Sequence, residues 1–255
     1  MTRSTRVVVP CYNEASRLEP NAFVQAIARD PALAFVMVDD GSSDGTATIL
    51  EELAKKAPER IDVVVLERNV GKAEAVRRGV LRAFELGAEI AGYWDADLAT
   101  PLSYISEFAT LLGKDDVVMV AGSRVRMLGH RIERSAIRHY IGRGFGTLAA
   151  LALGLPVYDT QCGAKLFKTT AAIQSAFESP FTLRWAFDVE LLARLLARET
   201  EVGDIEVERQ CIEFPLEEWR DAPGSKITVR QLPKIALEIA KLYVTTRSAR
   251  KAHRR

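Results

Sequence analysis

Five short, near-continuous apolar runs punctuate the first half of this 255-residue chain: Val7-Val8-Val9, Phe35-Val36-Met37-Val38, Ile61 to Leu66, Ile90 to Trp94 and Val117 to Ala121. Strands buried on both faces of a parallel sheet read this way, whereas a half-solvated antiparallel strand alternates. Helical patterns separate the runs. One carries Ile49, Leu50 and Leu53 with Asp44 placed to cap it; another carries Val76, Val80 and Phe84 behind Gly71. Strand–helix–strand repetition predicts an α/β fold, a doubly wound and mostly parallel sheet with helices on both faces. Ligands of such a sheet sit at the carboxyl ends of its strands.

Two acidic clusters fall at those ends. Asp95-Ala96-Asp97 follows the fourth run directly, and Asp39-Asp40-Gly41-Ser42-Ser43-Asp44-Gly45-Thr46 follows the second. Carboxylates on alternate residues at a strand end project to one side, and hard oxygen ligands of this kind suit Mg²⁺ or Mn²⁺. Mg²⁺ takes one or two protein carboxylates and completes its shell with substrate phosphates. A metal-bridged diphosphate is the expected ligand.

The second half is less regular. The pattern predicts a helix over 133–153, a polar segment Asp159-Thr160-Gln161-Cys162-Gly163, a helix over 187–198, a β-like stretch over 205–214 and a terminal helix from Gln231. One domain over 1–228 is expected, followed by an amphipathic helix and basic tail over 229–255. Five basic residues and no acid lie in 247–255. That leaves the rest of the chain at −4 against an overall net charge of +1. Nucleic acid is not the partner of such a body; an anionic membrane surface fits the tail. Cys11, Cys162 and Cys211 have neither metal-type nor redox-type spacing and read as reduced thiols of a cytosolic protein. His130, His139 and His253 show no triad or metal spacing and read as surface residues.

In order and spacing, Val9-Pro10-Cys11-Tyr12-Asn13-Glu14, the Asp39 to Thr46 cluster, Arg68-Asn69-Val70-Gly71-Lys72, Asp95-Ala96-Asp97 and Gly122-Ser123-Arg124 resemble the inverting, nucleotide-sugar-dependent glycosyltransferases of family 2, with the GT-A fold. Asp159 to Phe167, Arg184 to Leu192 and Gly224-Ser225-Lys226 look like the signatures of dolichyl-phosphate glucosyltransferases within it. The resemblance implies that Pro10, Tyr12 and Glu14 line the base and ribose, and that Asp40 accepts from the uracil imide N–H, a carboxylate being an acceptor only. It implies further that Lys72 lies near the nucleotide and that Asp97 ligates the metal. Asp95, beside Ala96, contacts ribose or reaches the ion through water. Arg220 and Lys226 resemble a phosphate clamp. Asp188 occupies the place of the catalytic base: it would deprotonate a hydroxyl acceptor, or orient an acceptor phosphate that is already anionic.

Six arginines (124, 126, 131, 134, 138 and 143) oppose a single acid, Glu133, over 124–143. Arginine forks suit phosphate. Arg124 is the expected acceptor contact, with Arg134 or Arg138 as a second. The expected reaction moves glucose or a related hexose from a UDP-sugar to a polyprenyl phosphate on a cytosolic membrane face. GDP-mannose as donor, or a soluble hydroxyl as acceptor, stays open. A nucleotidyltransferase would want a glycine-rich basic loop after the first strand, and Pro10-Cys11-Tyr12-Asn13-Glu14 is not one. Relatives in the subgroup usually carry an N-terminal membrane anchor. No such anchor is read here, so Gly144 to Tyr158 and the C-terminal helix are the expected peripheral contacts.

Overall fold

The computed structural model describes residues 3–133 and 136–220. Their elements run β1 (Thr5–Cys11), α1 (Pro20–Arg29), β2 (Leu33–Asp39), α2 (Thr46–Lys56), β3 (Ile61–Val65), α3 (Lys72–Glu85), β4 (Ile90–Trp94), α4 (Tyr104–Leu112) and β5 (Met119–Ser123) through the first half. The second half adds β6 (Arg131–Glu133), α5 (Ala136–Leu153), β7 (Ala164–Lys168), α6 (Ala171–Glu178), α7 (Phe187–Glu201), α8 (Val207–Gln210), β8 (Cys211–Pro215) and β9 (Glu218–Arg220). Seven strands form one sheet in the order β3-β2-β1-β4-β7-β5-β8, while β6 and β9 make a small parallel pair beside it.

The mostly parallel, doubly wound sheet is the one the apolar runs predict. Residues of β1 alternate between two cores: Val8 faces α3, α6 and α7, and Val7 and Val9 face α1, α2 and α4. Both faces are therefore covered, as strands without alternation require. Strand β7 is the exception, running antiparallel between β4 and β5. It brings the segment before it, 158–163, back to the carboxyl end of β4.

Several boundaries differ from the sequence pattern. The helix expected over 133–153 is described from Ala136, and residues 131–133 pair as β6 with β9. The β-like stretch over 205–214 opens instead with the helical turn α8 and becomes a strand only at Cys211. Asp44 is not the N-cap of α2. That position belongs to Gly45, at φ 87°, and Asp44 accepts from Thr46 N–H at 3.1 Å one residue farther back. Arg134, Lys226, His253, the helix expected from Gln231 and the basic tail lie outside the described residues, as do the side chains of Arg138 and His139. His130 is half-buried, its Nδ1 2.9 Å from Leu216 O. Among the described residues no helix is long and apolar enough to cross a membrane.

Candidate active site

The tips of β1, β2 and β4 converge. Loop 13–15 is laced to loop 42–46: Asn13 N–H donates to Ser42 Oγ (2.9 Å), Glu14 N–H to Thr46 Oγ1 (2.9 Å) and Ala15 N–H to Asp44 Oδ2 (3.1 Å). Pro10 ends up half-buried and Tyr12 partly exposed at the crevice edge, while Glu14 is buried against Arg17 at 2.6 Å. The family resemblance implies base and ribose contacts for these residues, and the fold puts all three at one strand tip.

Asp40 is more deeply engaged than its sequence context suggests. Its Oδ1 accepts from Val70 N–H (2.7 Å), and its Oδ2 from Gly71 N–H (2.9 Å) and Asn69 Nδ2 (3.0 Å). Burial pushes its carboxyl up and the backbone donors oppose that shift. Asp40 thus pins the loop leading into α3. Gly41, at φ 66°, makes this possible, because a Cβ there would run into the Arg68 and Asn69 backbone.

At the tip of β4, Lys72 Nζ lies 2.5 Å from Asp95 Oδ1. Burial opposes the charge on Lys72, but Asp95, Asp188 and Asp97 together raise its pKa. Asp97 bends back to accept from Ala99 N–H at 3.1 Å. Burial first, and then the neighbouring Asp95, lift its carboxyl above the usual range. Two carboxylates crowd together here with one ammonium between strand tip and helix start. Among the described residues such a hard-oxygen pair is short of positive charge, and its donors fit a divalent cation whose other ligands would come from a diphosphate. Ala96 is buried under the turn. Arg220 N–H donates to Ala99 O at 3.2 Å, tying β9 to the same turn, while its exposed guanidinium pairs with Glu133 at 3.2 Å.

Behind Asp95 stands Gly163. Asp95 N–H donates to Gly163 O (3.0 Å), and a Cβ on Gly163 would overlap the Asp95 carboxylate. The 158–163 segment is itself anchored. Glu213 accepts from Tyr158 N–H (2.6 Å) and Asp159 N–H (2.7 Å), and Asp159 takes Arg124 Nε (2.6 Å) and Nη2 (2.8 Å) in a bidentate fork. Burial works against the Asp159 charge, yet Arg124 brings its carboxyl down to about 2. Sequence reasoning singled out Arg124 for phosphate and overlooked its carboxylate partner, which is 35 residues away.

Asp188 opens α7 and is buried. Its Oδ1 accepts from Tyr93 Oη and from Lys165 Nζ (2.6 Å). Lys165, 1% exposed, also donates to Thr160 O (3.0 Å) and Cys162 O (2.6 Å). Neither Tyr93 nor Lys165 was expected at the site. The available signal was a lysine flanked by Ala164 and Leu166-Phe167 inside a strand whose other lysine, Lys168, stands at its end. On the far side of the 158–163 segment, α5 and residues 155–158 enclose a groove of ≈ 320 Å³, with Arg143 stacked 4.1 Å over the Tyr158 ring.

The family model for "Glycosyl transferase family 2" matches residues 6–174. The chain belongs to that family. It is a glycosyltransferase. It is 31% identical to a dolichyl-phosphate β-glucosyltransferase of Trichomonas vaginalis over 96% of this chain and 72% of that one. The human protein of that name is 32% identical, covering 89% and 70%, and the Drosophila melanogaster one 35%, covering 87% and 68%. The fold matches glucosyl-3-phosphoglycerate synthase from Mycobacterium tuberculosis, solved with Mn²⁺, UDP-glucose and phosphoglyceric acid. The TM-score is 0.64 at 16% identity, over 96% of this chain and 79% of that one. The enzyme therefore has the GT-A fold, with the converging tips of β1, β2 and β4 at the carboxyl end of its sheet.

Proposed function

We propose that this enzyme transfers glucose from UDP-glucose to a polyprenyl phosphate, inverting the anomeric centre. The observation that carries the reading is the Asp95–Asp97 pair at the tip of β4, facing Lys72, in a chain whose relatives are named for dolichyl-phosphate glucosylation. Pro10, Tyr12 and Glu14 flank the base and ribose, and Asp40 shapes the loop that receives the uracil. Asp97 and Asp95 would hold Mg²⁺ or Mn²⁺. A cation bound there would supply positive charge against the departing diphosphate. Lys72, and from the C-terminal side Arg220 and Lys226, would add positive charge to the same leaving group.

In a single displacement, the acceptor phosphate oxygen bonds to the anomeric carbon as that carbon's bond to the β-phosphate oxygen breaks. The electron pair leaves with UDP, and attack from the opposite face inverts the centre, through an oxocarbenium-like transition state. Asp188 orients the incoming oxygen, and takes its proton where one remains. Arg124 offers the acceptor phosphate the Nη1 edge of a guanidinium that Asp159 already holds; Arg134 or Arg138 would add a second fork. The α5 groove, lined by exposed Leu151 and the cationic Arg143, suits the first isoprene units at a membrane surface. In this reading 1–122 serves the donor, 123–228 the acceptor, and 229–255 the membrane.

The test is an organic-extraction assay with radiolabelled UDP-glucose and a short-chain polyprenyl phosphate, with Mn²⁺ or with a chelator. Metal-dependent label in the lipid phase, as a β-glucosyl phosphate by NMR, is the expected result. Label entering lipid from GDP-mannose but not from UDP-glucose sinks the donor assignment.

A further inference from the structure

Lys165 is costly to bury. An ammonium 1% exposed loses its hydration, and an ion pair in the interior is commonly no more stabilising than well-packed apolar residues of the same volume. Stability alone gives a weak reason for a lysine at that point in β7. Its three donors are all committed, to Thr160 O, Cys162 O and Asp188 Oδ1. Directly opposite on β4 stands Tyr93, its register partner, and residues so paired present their side chains on the same face of the sheet. Tyr93 Oη donates to the same Asp188 oxygen, and the Tyr93 ring packs on Phe187 with centroids 5.7 Å apart.

Two donors on one oxygen fix the rotation of a carboxylate about its Cβ–Cγ bond. Asp188 therefore enters the site with Oδ1 tethered and its plane set, beside the Lys72–Asp95 pair whose ammonium feels its charge. The Thr160 and Cys162 carbonyls tie the same ammonium to the segment whose Gly163 backs Asp95. We propose that Lys165 and Tyr93 are positioning residues that act through Asp188, holding its carboxylate at the angle the acceptor needs. This rests on the role given to Asp188 above.

The test is a double-mutant cycle on the purified full chain, with kcat and KM for UDP-glucose measured at saturating polyprenyl phosphate. Tyr93→Phe keeps the ring and removes one donor. It is expected to lower kcat about tenfold, the scale of a misplaced catalytic group, with KM for UDP-glucose within about twofold and the melting temperature little changed. On an Asp188→Asn background, the same substitution should cost less than about twofold more, because coupled residues are not additive. Lys165→Met should lower kcat further; if it fails to fold, the Tyr93 cycle still decides. Equal losses from Tyr93→Phe on both backgrounds overturn the inference, as does wild-type kcat in Tyr93→Phe while Asp188→Asn is inactive. Wild-type turnover in Asp188→Asn instead removes the role of Asp188 itself, a separate failure.

Discussion

The two halves of the site handle charge in opposite ways. At the tips of the parallel strands, Asp95 and Asp97 share one nearby ammonium, Lys72, and Asp97 is held partly against its own ionisation. Around β7, each buried charge already has its counterpart: Arg124 with Asp159, Lys165 with Asp188, Arg194 with Glu190. Among the described residues the strand tips are left short of positive charge, which the proposed cation would bring. The β7 side is wired in advance, and its charges hold geometry. Counting arginines over 124–143 therefore overstates how many stand ready for phosphate.

The same isosteric change should separate the halves. Asp97→Asn is expected to cost about 10³-fold in lipid glucosylation, the upper scale for losing a charge-stabilising contact, yet to leave the melting temperature unchanged or raised. The sign follows from linkage: a carboxyl raised in the folded state favours the protonated form, so its ionisation opposes folding as pH climbs through that pKa, and asparagine removes the penalty. Wild-type turnover in this variant would break the contrast outright. Asp159→Asn should do the reverse and destabilise by about 2–4 kcal/mol in urea at pH 7, because it strands Arg124 in the interior. Asp159 titrates at about 2 in the fold against an ordinary 3.8. Its contribution is then complete above the ordinary value and disappears as pH falls through about 2, so the difference between variant and wild type should narrow over that window.

Gly163→Ala probes the join between the halves. The added Cβ displaces the Asp95 carboxylate, and about 10- to 100-fold lower kcat/KM is expected with the fold intact by circular dichroism. Full activity would mean that Asp95 need not stay where Gly163 holds it. The smallest effect belongs to Arg220→Ala: about threefold weaker UDP binding by calorimetry, since an exposed charge is screened by water, with no measurable change in melting temperature. A loss as large as that of Asp97→Asn would show that the exposed rim is as demanding as the strand tip.

Much of the strand-tip side is legible along the chain. Unbroken apolar runs mark strands covered on both faces, and whatever follows a parallel strand lies at the ligand-binding edge. Position alone puts Asp40, Asp95 and Asp97 at that edge. Asp40 also shows the limit: its three donors sit at 69–71, about thirty residues on, and no local pattern announces them. The β7 side is harder to read, because β7 runs against both its neighbours in an otherwise parallel sheet.

Order of elements, parallel sense and acids at the strand tips follow from the sequence by itself, because periodicity and turn chemistry act over a few residues. The partners of Arg124, Lys165 and Asp188 come from the tertiary structure alone. They lie 35, 23 and 95 residues apart for Arg124–Asp159, Lys165–Asp188 and Tyr93–Asp188. Only the insertion of an antiparallel strand between β4 and β5 sets the register that places one buried ammonium and one phenol against the same carboxylate oxygen.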